Sequence, residues 1–144
     1  MEQKNYHRTI MVKVSPEEAM KKISQVNLWW AKKVKGKIEK INDKFTVDFG
    51  ETFVDFQITE LTANKKVVWE VTNCNLHWIN NKKEWNGNKV VFEISAENSK
   101  TKIDFTHIGL VPGVECYNDC VVGWDGHLTN SLVKFMNKGK GMPE

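Results

Sequence analysis

The sequence has no long apolar run. No stretch approaches the roughly 20 consecutive apolar residues that a membrane-spanning helix needs. The first eight residues, Met1 to Arg8, are polar and contain no apolar core of the kind found in a secretory signal peptide. We therefore expect a cytoplasmic protein without a membrane span.

Cysteine is scarce, with three residues in 144, and no two of them form a C-x-x-C pair. An odd number of cysteines in a chain that is not exported argues against a disulfide framework. Cys74, His77, Cys116 and Cys120 are residue types that bind zinc, but their spacing is not that of a zinc site. We expect these cysteines to be buried as small apolar groups, and we expect neither a metal nor a cofactor.

Motifs that bind phosphate or support catalysis are also missing. The sequence contains no Gly-rich phosphate loop, no nucleophile elbow and no H-E-x-x-H pair. A net charge of +3, from 21 basic and 18 acidic residues, is too small and too evenly spread to indicate nucleic-acid binding. The densest basic run, Lys32 to Lys37, alternates with Val34 and Gly36, which is typical of the solvent face of a strand.

What the chain does contain is enough apolar material for one core. Its 144 residues, of which 40% are hydrophobic and 27% charged, have the length and composition of a single globular domain that spans residues 1–144. The last residues, 138–144, combine lysine and glycine with little apolar content, and we predict that they form a frayed end.

Apolar and polar residues alternate along most of the chain, which predicts β-strands. The alternation begins with a strand over residues 6–14 and returns from Lys33 to about His107 as roughly six more strands. Between them, the segment from Ser15 to Glu18 is a helix-start signal, with a capping serine, a proline at the first helical position and an acidic residue three positions after the cap. A second short helix or a tight corner is expected at Leu28 to Trp30.

One long helix is predicted after the strands. Residues 116–137 carry an apolar stripe at helical spacing, formed by Tyr117, Cys120, Val121, Trp124, Leu128, Leu132 and Phe135. A meander of antiparallel strands with one apolar face needs an element that covers this face. We therefore predict an α+β fold in which a curved antiparallel sheet wraps around the C-terminal helix.

Two local patterns resemble a known family. The stretch TKIDFTHIGL, from Thr101 to Leu110, precedes a Pro-containing loop, and Gly123-Trp124 precedes Leu128 and Leu132 on the final helix. Both are similar to the C-terminal signature of the heat-shock-protein-90 ATPase activator-like family of the START-like (SRPBCC) superfamily, and the resemblance covers nearly the whole chain. It implies the helix-grip (START/Bet v 1-like) fold, with about seven strands and two short helices after the first strand.

The predicted inner face is rich in aromatic side chains, which are candidate walls of a ligand cavity. A dry void of ~300 Å³ would cost roughly 7 kcal/mol, which is comparable with the whole stability of a domain, about 5–15 kcal/mol. A cavity must therefore be filled by a ligand, by water or by bulky side chains. Plain core packing explains the same aromatic residues. The candidates are Trp29, Trp30, Phe45, Phe56, Trp69, Phe92, Phe105, His107, Trp124 and Leu128.

His107 lies on the same predicted face as Ile103 and Phe105, near the end of its strand. A histidine at this position can anchor a polar ligand group, act as an acid or base, or be satisfied by a backbone partner at the sheet edge. The resemblance implies that Trp29 and Trp30 lie near the mouth of a helix-grip pocket.

Three functions follow from these observations. The first is a non-enzymatic binder of a small apolar or aromatic molecule, held between the sheet and the C-terminal helix. The second is a co-chaperone-like interaction module whose partner is a chaperone. The third is a cyclase-type or hydrolase-type enzyme that uses His107 as its base. The protein is expected to act as a monomer or a homodimer, without nucleic acid.

Overall fold

One seven-stranded antiparallel sheet forms the framework of the protein. A computed structural model describes residues 4–144. The strands, in chain order, are β1 (Tyr6–Val12), β2 (Lys33–Gly36), β3 (Lys44–Asp48), β4 (Phe53–Thr62), β5 (Lys66–Asn75), β6 (Lys89–Glu97) and β7 (Lys100–Ile108). Their order across the sheet is β1-β7-β6-β5-β4-β3-β2. The predicted meander of strands is confirmed, and β1 forms one edge of the sheet by pairing with β7.

Two short helices follow β1, as the sequence predicts. The first, α1 (Pro16–Ile23), begins at Ser15, whose Oγ accepts a hydrogen bond of 3.2 Å from the backbone N–H of Glu18. This bond satisfies one of the free N–H groups at the helix start. A single 3₁₀ turn (Val26–Leu28) comes next. No helix within residues 4–144 is long and apolar enough to cross a membrane.

The C-terminal helix has three sections, namely α2 (Tyr117–Asp125), a π-helical segment (Gly126–Leu132) and α3 (Val133–Lys138). Buried residues recur at intervals of four along the helix, beginning with its N-cap residue: Cys116, Cys120, Trp124, Leu128, Leu132 and Met136. In a straight α-helix each interval of four would turn this stripe by ~40°, which would carry its end away from the sheet. In the π segment the N–H of Val133 bonds to the carbonyl of Leu128, five residues back. This wider turn rotates the stripe back towards the sheet.

The core lies between the concave face of the sheet and the C-terminal helix, and aromatic rings fill much of it. The ring of Phe92 lies 4.9 Å from that of Trp69 and 5.1 Å from that of Phe105. The ring of Phe105 in turn lies 4.5 Å from that of Trp124 on α2. Tilted and edge-to-face pairs at such distances contribute about 0.5–1.5 kcal/mol each beyond the burial of their surface. This chain of rings joins the sheet to the helix.

The end of the chain pairs with the segment that follows the 3₁₀ turn, which differs from the frayed end predicted for residues 138–144. Gly139 caps α3 in the left-handed conformation, with φ of 78°, as a glycine after a helix does. Further on, the N–H of Glu144 donates to the carbonyl of Trp30 over 2.9 Å, and the N–H of Lys32 donates to the carbonyl of Glu144 over 2.8 Å. Local composition did not reveal this pairing because its partners lie more than a hundred residues apart in sequence.

Candidate functional site

A cleft opens at one end of the sheet, between the C-terminal helix and the loops that join β3 to β4 and β5 to β6. Its volume is about 260 Å³, and it is open to solvent. We call it the tryptophan cleft. Its lining consists of Trp30, Phe49, Thr52, Val54, Leu76, Trp78, Trp85, Asp119, Cys120, Gly123, Trp124, His127 and Glu144.

The floor of the tryptophan cleft is made of packed indole rings. The ring of Trp124 lies 4.8 Å from that of Trp30 and 6.1 Å from that of Trp85, to which it is nearly parallel at 9°. Each of these three side chains is at most 7% exposed. Because neighbouring rings hold them, they present flat apolar surfaces in fixed positions.

Trp78 forms an outer wall of the cleft and, unlike the floor, is 48% exposed. It lies in the loop between β5 and β6, and its Nε1–H donates a hydrogen bond of 3.0 Å to Oδ2 of Asp119 on α2. This bond ties the loop to the helix at the side of the cleft. An exposed indole held in this way offers a large apolar surface that solvent and small molecules can reach.

Two carboxylates hold the loop between β5 and β6 in place. Glu115 accepts hydrogen bonds of 2.7 and 2.8 Å from the N–H groups of Asn80 and Asn81. In return, Glu84 of the loop accepts bonds of 2.7 and 2.9 Å from the N–H groups of Glu115 and Cys116. The backbone donors stabilise the ionised form of Glu115 and lower its pKa. The loop and the segment before α2 therefore fix each other.

Two further titratable groups of the lining, His127 and Cys120, are largely uncharged at neutral pH. Burial lowers the pKa of His127, and the Glu144 carboxylate, whose Oε2 lies 4.0 Å from Nε2 of His127, partly opposes this shift. The hydrogen bond with Cys116, together with burial, raises the pKa of the Cys120 thiol. The charge of the lining therefore comes from the carboxylates of Asp119 and Glu144.

His107 lies beneath the floor and is fully buried. Its Nδ1 accepts a hydrogen bond of 3.0 Å from Nε1–H of Trp124, and its Nε2 lies 2.9 Å from Oδ1 of Asn88. Because Nδ1 accepts, the ring proton is on Nε2 and is donated to Asn88. Burial lowers the pKa of His107 to about 3. With both nitrogens occupied, this geometry favours a structural role over that of a ligand anchor or a base.

Of the ten side chains predicted to line a cavity, Trp30 and Trp124 line the tryptophan cleft. Trp69 lines a separate groove of about 240 Å³ between α1 and the strands β4 and β5. Its Nε1–H is buried and has no hydrogen-bond partner within residues 4–144. The other seven are buried and line neither space: Trp29, Phe45, Phe56, Phe92, Phe105, His107 and Leu128.

Sequence reasoning missed most of the lining. Trp78 and Thr52 lie in loops, Asp119 and His127 lie on the helix beside its apolar stripe, and Glu144 belongs to the chain end. Alternation of apolar residues carries no signal at such positions. The cysteines are free and buried, as expected. No group of three or more His, Cys, Asp or Glu side chains in the described part of the chain is arranged to hold a metal ion.

Comparison with known proteins supports the fold. No protein-family model and no curated protein matches the sequence. The structure is similar to the solution structure of the Aha1 dimer from Colwellia psychrerythraea, with a TM-score of 0.79 and 23% identity over 96% of this chain and 99% of that chain. It is also similar to SSP2350 from Staphylococcus saprophyticus, with a TM-score of 0.73 and 12% identity over 96% of each chain.

A third similar structure is DynU16, encoded in the dynemicin biosynthetic locus, with a TM-score of 0.68 and 14% identity over 94% of this chain and 48% of that chain. All three likenesses are below 25% identity and therefore concern the fold. The chain has a helix-grip fold like that of the Aha1 protein, with a seven-stranded antiparallel sheet and a C-terminal helix, as the sequence predicts.

Proposed function

We propose that this chain binds a small, largely apolar molecule in the tryptophan cleft. The observation that carries the proposal is the fixed indole floor beside the exposed, hydrogen-bonded wall of Trp78, around an open space of about 260 Å³. Ligand sites are typically apolar clefts of roughly 300–1,000 Å³ with few polar groups. A volume just below that range fits a molecule with one or two rings.

The chemistry of the lining supports binding over catalysis. A nucleophile needs a base within hydrogen-bond reach. Within residues 4–144, the Cys120 thiol has Cys116 as its partner, and burial and that bond raise the thiol pKa, which disfavours the reactive thiolate. His127 makes no hydrogen bond to Cys120 or to a hydroxyl group in the same part of the chain.

Trp78 gives the most direct test. Trp78→Ala removes a wall but no core contact, so we expect a folded protein that binds small aromatic probes such as indole at least tenfold more weakly. Ile41→Ala is the matched control, because Ile41 is exposed to the same degree, 49%, and does not line the cleft. Calorimetric titration of the purified variants with indole measures the effect.

Gly123 allows the opposite change, which is to fill the cleft. A Cβ at Gly123 would meet no atom within 4 Å, and the position is helical. Gly123→Leu should therefore abolish indole binding without unfolding the chain, since replacing a helical glycine commonly stabilises by about 0.5–1 kcal/mol. Gly126→Leu is the control, because Gly126 is equally open but does not line the cleft.

Native mass spectrometry of the freshly purified protein would reveal a captured molecule as a mass excess that disappears on denaturation. Retention of that molecule by Gly126→Leu, with its loss from Gly123→Leu, is the expected result. Unchanged binding in both Trp78→Ala and Gly123→Leu would refute the proposal. A protein that carries no molecule and binds no probe would favour the interaction module instead.

A further inference from the structure

We infer that the tryptophan cleft selects organic cations, that is, molecules in which an apolar or aromatic body carries an ammonium group. This inference rests on the proposed function and names the ligand class of the same site. It is carried by the charges of the lining and by the exposed indole of Trp78.

The charge of the lining has one sign. Asp119 on α2 and Glu144 near the mouth contribute carboxylates, and no lysine or arginine of the described residues lines the cleft. The chain as a whole has 21 basic and 18 acidic residues, so this bias is local. The Glu144 side chain is 71% exposed, and Asp119 is exposed as well. Both carboxylates keep their water shell and give the mouth a negative potential that attracts cations.

The rings of the cleft favour the same ligands. An ammonium group within about 6 Å of an aromatic centroid is attracted by the ring face, most strongly by tryptophan. Trp78 presents such a face to solvent, and its N–H donates to the Asp119 carboxylate over 3.0 Å. A charge-assisted hydrogen bond of this kind polarises the indole and makes its face more negative. Asp119 therefore acts on a cation both directly and through the ring.

An anionic ligand would find no positively charged partner in the lining. The one lining group able to become a cation is His127, and burial keeps its imidazole neutral. An anion would therefore lose water and face two carboxylates. A neutral ligand would gain the apolar floor but neither the ring nor the carboxylate attraction.

Three probes of matched shape separate these cases. Phenethylamine is protonated at neutral pH, as lysine-like amines are, whereas phenethyl alcohol is neutral and 3-phenylpropionate is anionic. In calorimetric titrations at pH 7.5 and low salt, we expect the amine to bind about tenfold more tightly than the alcohol, a difference of about 1.4 kcal/mol. The carboxylate should bind more weakly than the alcohol.

Removal of the two charges tests the cause. Asp119→Asn and Glu144→Gln preserve the shapes of the side chains, and the asparagine retains an oxygen that accepts from Trp78. In the double variant the amine should bind no more tightly than the alcohol, while the affinity for the alcohol changes less than twofold. Glu93→Gln, which removes an exposed carboxylate on β6 that does not line the cleft, is the control and should preserve the preference.

The outcomes distinguish this inference from the function on which it rests. Equal binding of the three probes, lost in Gly123→Leu, would overturn the selection of cations and leave the binding function standing. Tightest binding of 3-phenylpropionate would overturn it too. Absence of binding by all three probes would overturn both.

Discussion

Replacing His107 by glutamine should remove most of the dependence of stability on pH between pH 7 and pH 5. In the native state His107 accepts from Trp124 and donates to Asn88, and its burial lowers its pKa to about 3. An unfolded histidine titrates near 6.5. Between these two pKa values, His107 is protonated in the unfolded chain but not in the native state. Its contribution to stability is therefore complete above about pH 6.5 and is lost as the pH falls.

The size of the effect follows from the difference in pKa. A difference of about 3.5 corresponds to a loss of about 5 kcal/mol once the pH lies below both pKa values. Only part of this loss falls in an accessible range, and from pH 7 to pH 5 the His107 contribution is about 2 kcal/mol. Burial also lowers the pKa of His127, which adds a loss of the same sign.

Urea unfolding at pH 7, 6 and 5, followed by tryptophan fluorescence, measures this slope. His107→Gln retains one donor and one acceptor for Asn88 and Trp124 but does not titrate, so its free energy of unfolding should change by about 2 kcal/mol less than that of the wild type. His127→Gln separates the contribution of the second histidine. Equal slopes in His107→Gln and the wild type would refute the reasoning, because the protonation of His107 would then not be linked to folding.

Two further predictions concern the helix and the loop at the cleft. Leu128→Ala should destabilise the protein by about 2–5 kcal/mol in urea unfolding, because Leu128 is fully buried in the π segment and leaves a cavity. A cost below about 1 kcal/mol would contradict the packing described here. Glu115→Ala should speed amide hydrogen exchange at Asn80 and Asn81, whose N–H groups lose their acceptor, while exchange within β7 stays unchanged.

The strands were predictable because one face of the sheet is buried in the core and the other is exposed to solvent. In β7, for example, Ile103, Phe105 and His107 are buried, whereas the residues between them are partly exposed. This contrast is a local property with a period of two. Exceptions arise where both faces are covered, as at Val68 and Val91, which lie opposite each other on β5 and β6 and are both buried.

The C-terminal helix carries a sequence signal for its π segment. Apolar residues at strict intervals of four, such as Trp124, Leu128 and Leu132, drift around a regular α-helix. Their burial on one side requires a wider turn, and the π segment provides it. A run of such intervals therefore predicts a π segment.

Most of the tryptophan cleft was not predictable because its parts meet only in the tertiary structure. Trp30 follows the 3₁₀ turn, Trp78 lies in a loop held by Glu115, and Glu144 reaches the cleft through its pairing with Trp30. None of these positions belongs to a periodic pattern. The burial of His107 was predictable from alternation, but its hydrogen-bond partners, Trp124 and Asn88, were not.

The cost of empty space explains why the tryptophan cleft lies at the end of the sheet and not inside it. A sealed, dry void of the size of the cleft would cost roughly 6 kcal/mol, a large part of the stability of a domain. Rings of Trp69, Phe92 and Phe105 occupy the interior instead. An open cleft does not carry this cost because water can enter it. Its floor is continuous with the packed interior rings, since Trp124 contacts Phe105. Substitutions of interior rings should therefore change stability first, whereas substitutions at Trp78 or Asp119 should change binding first.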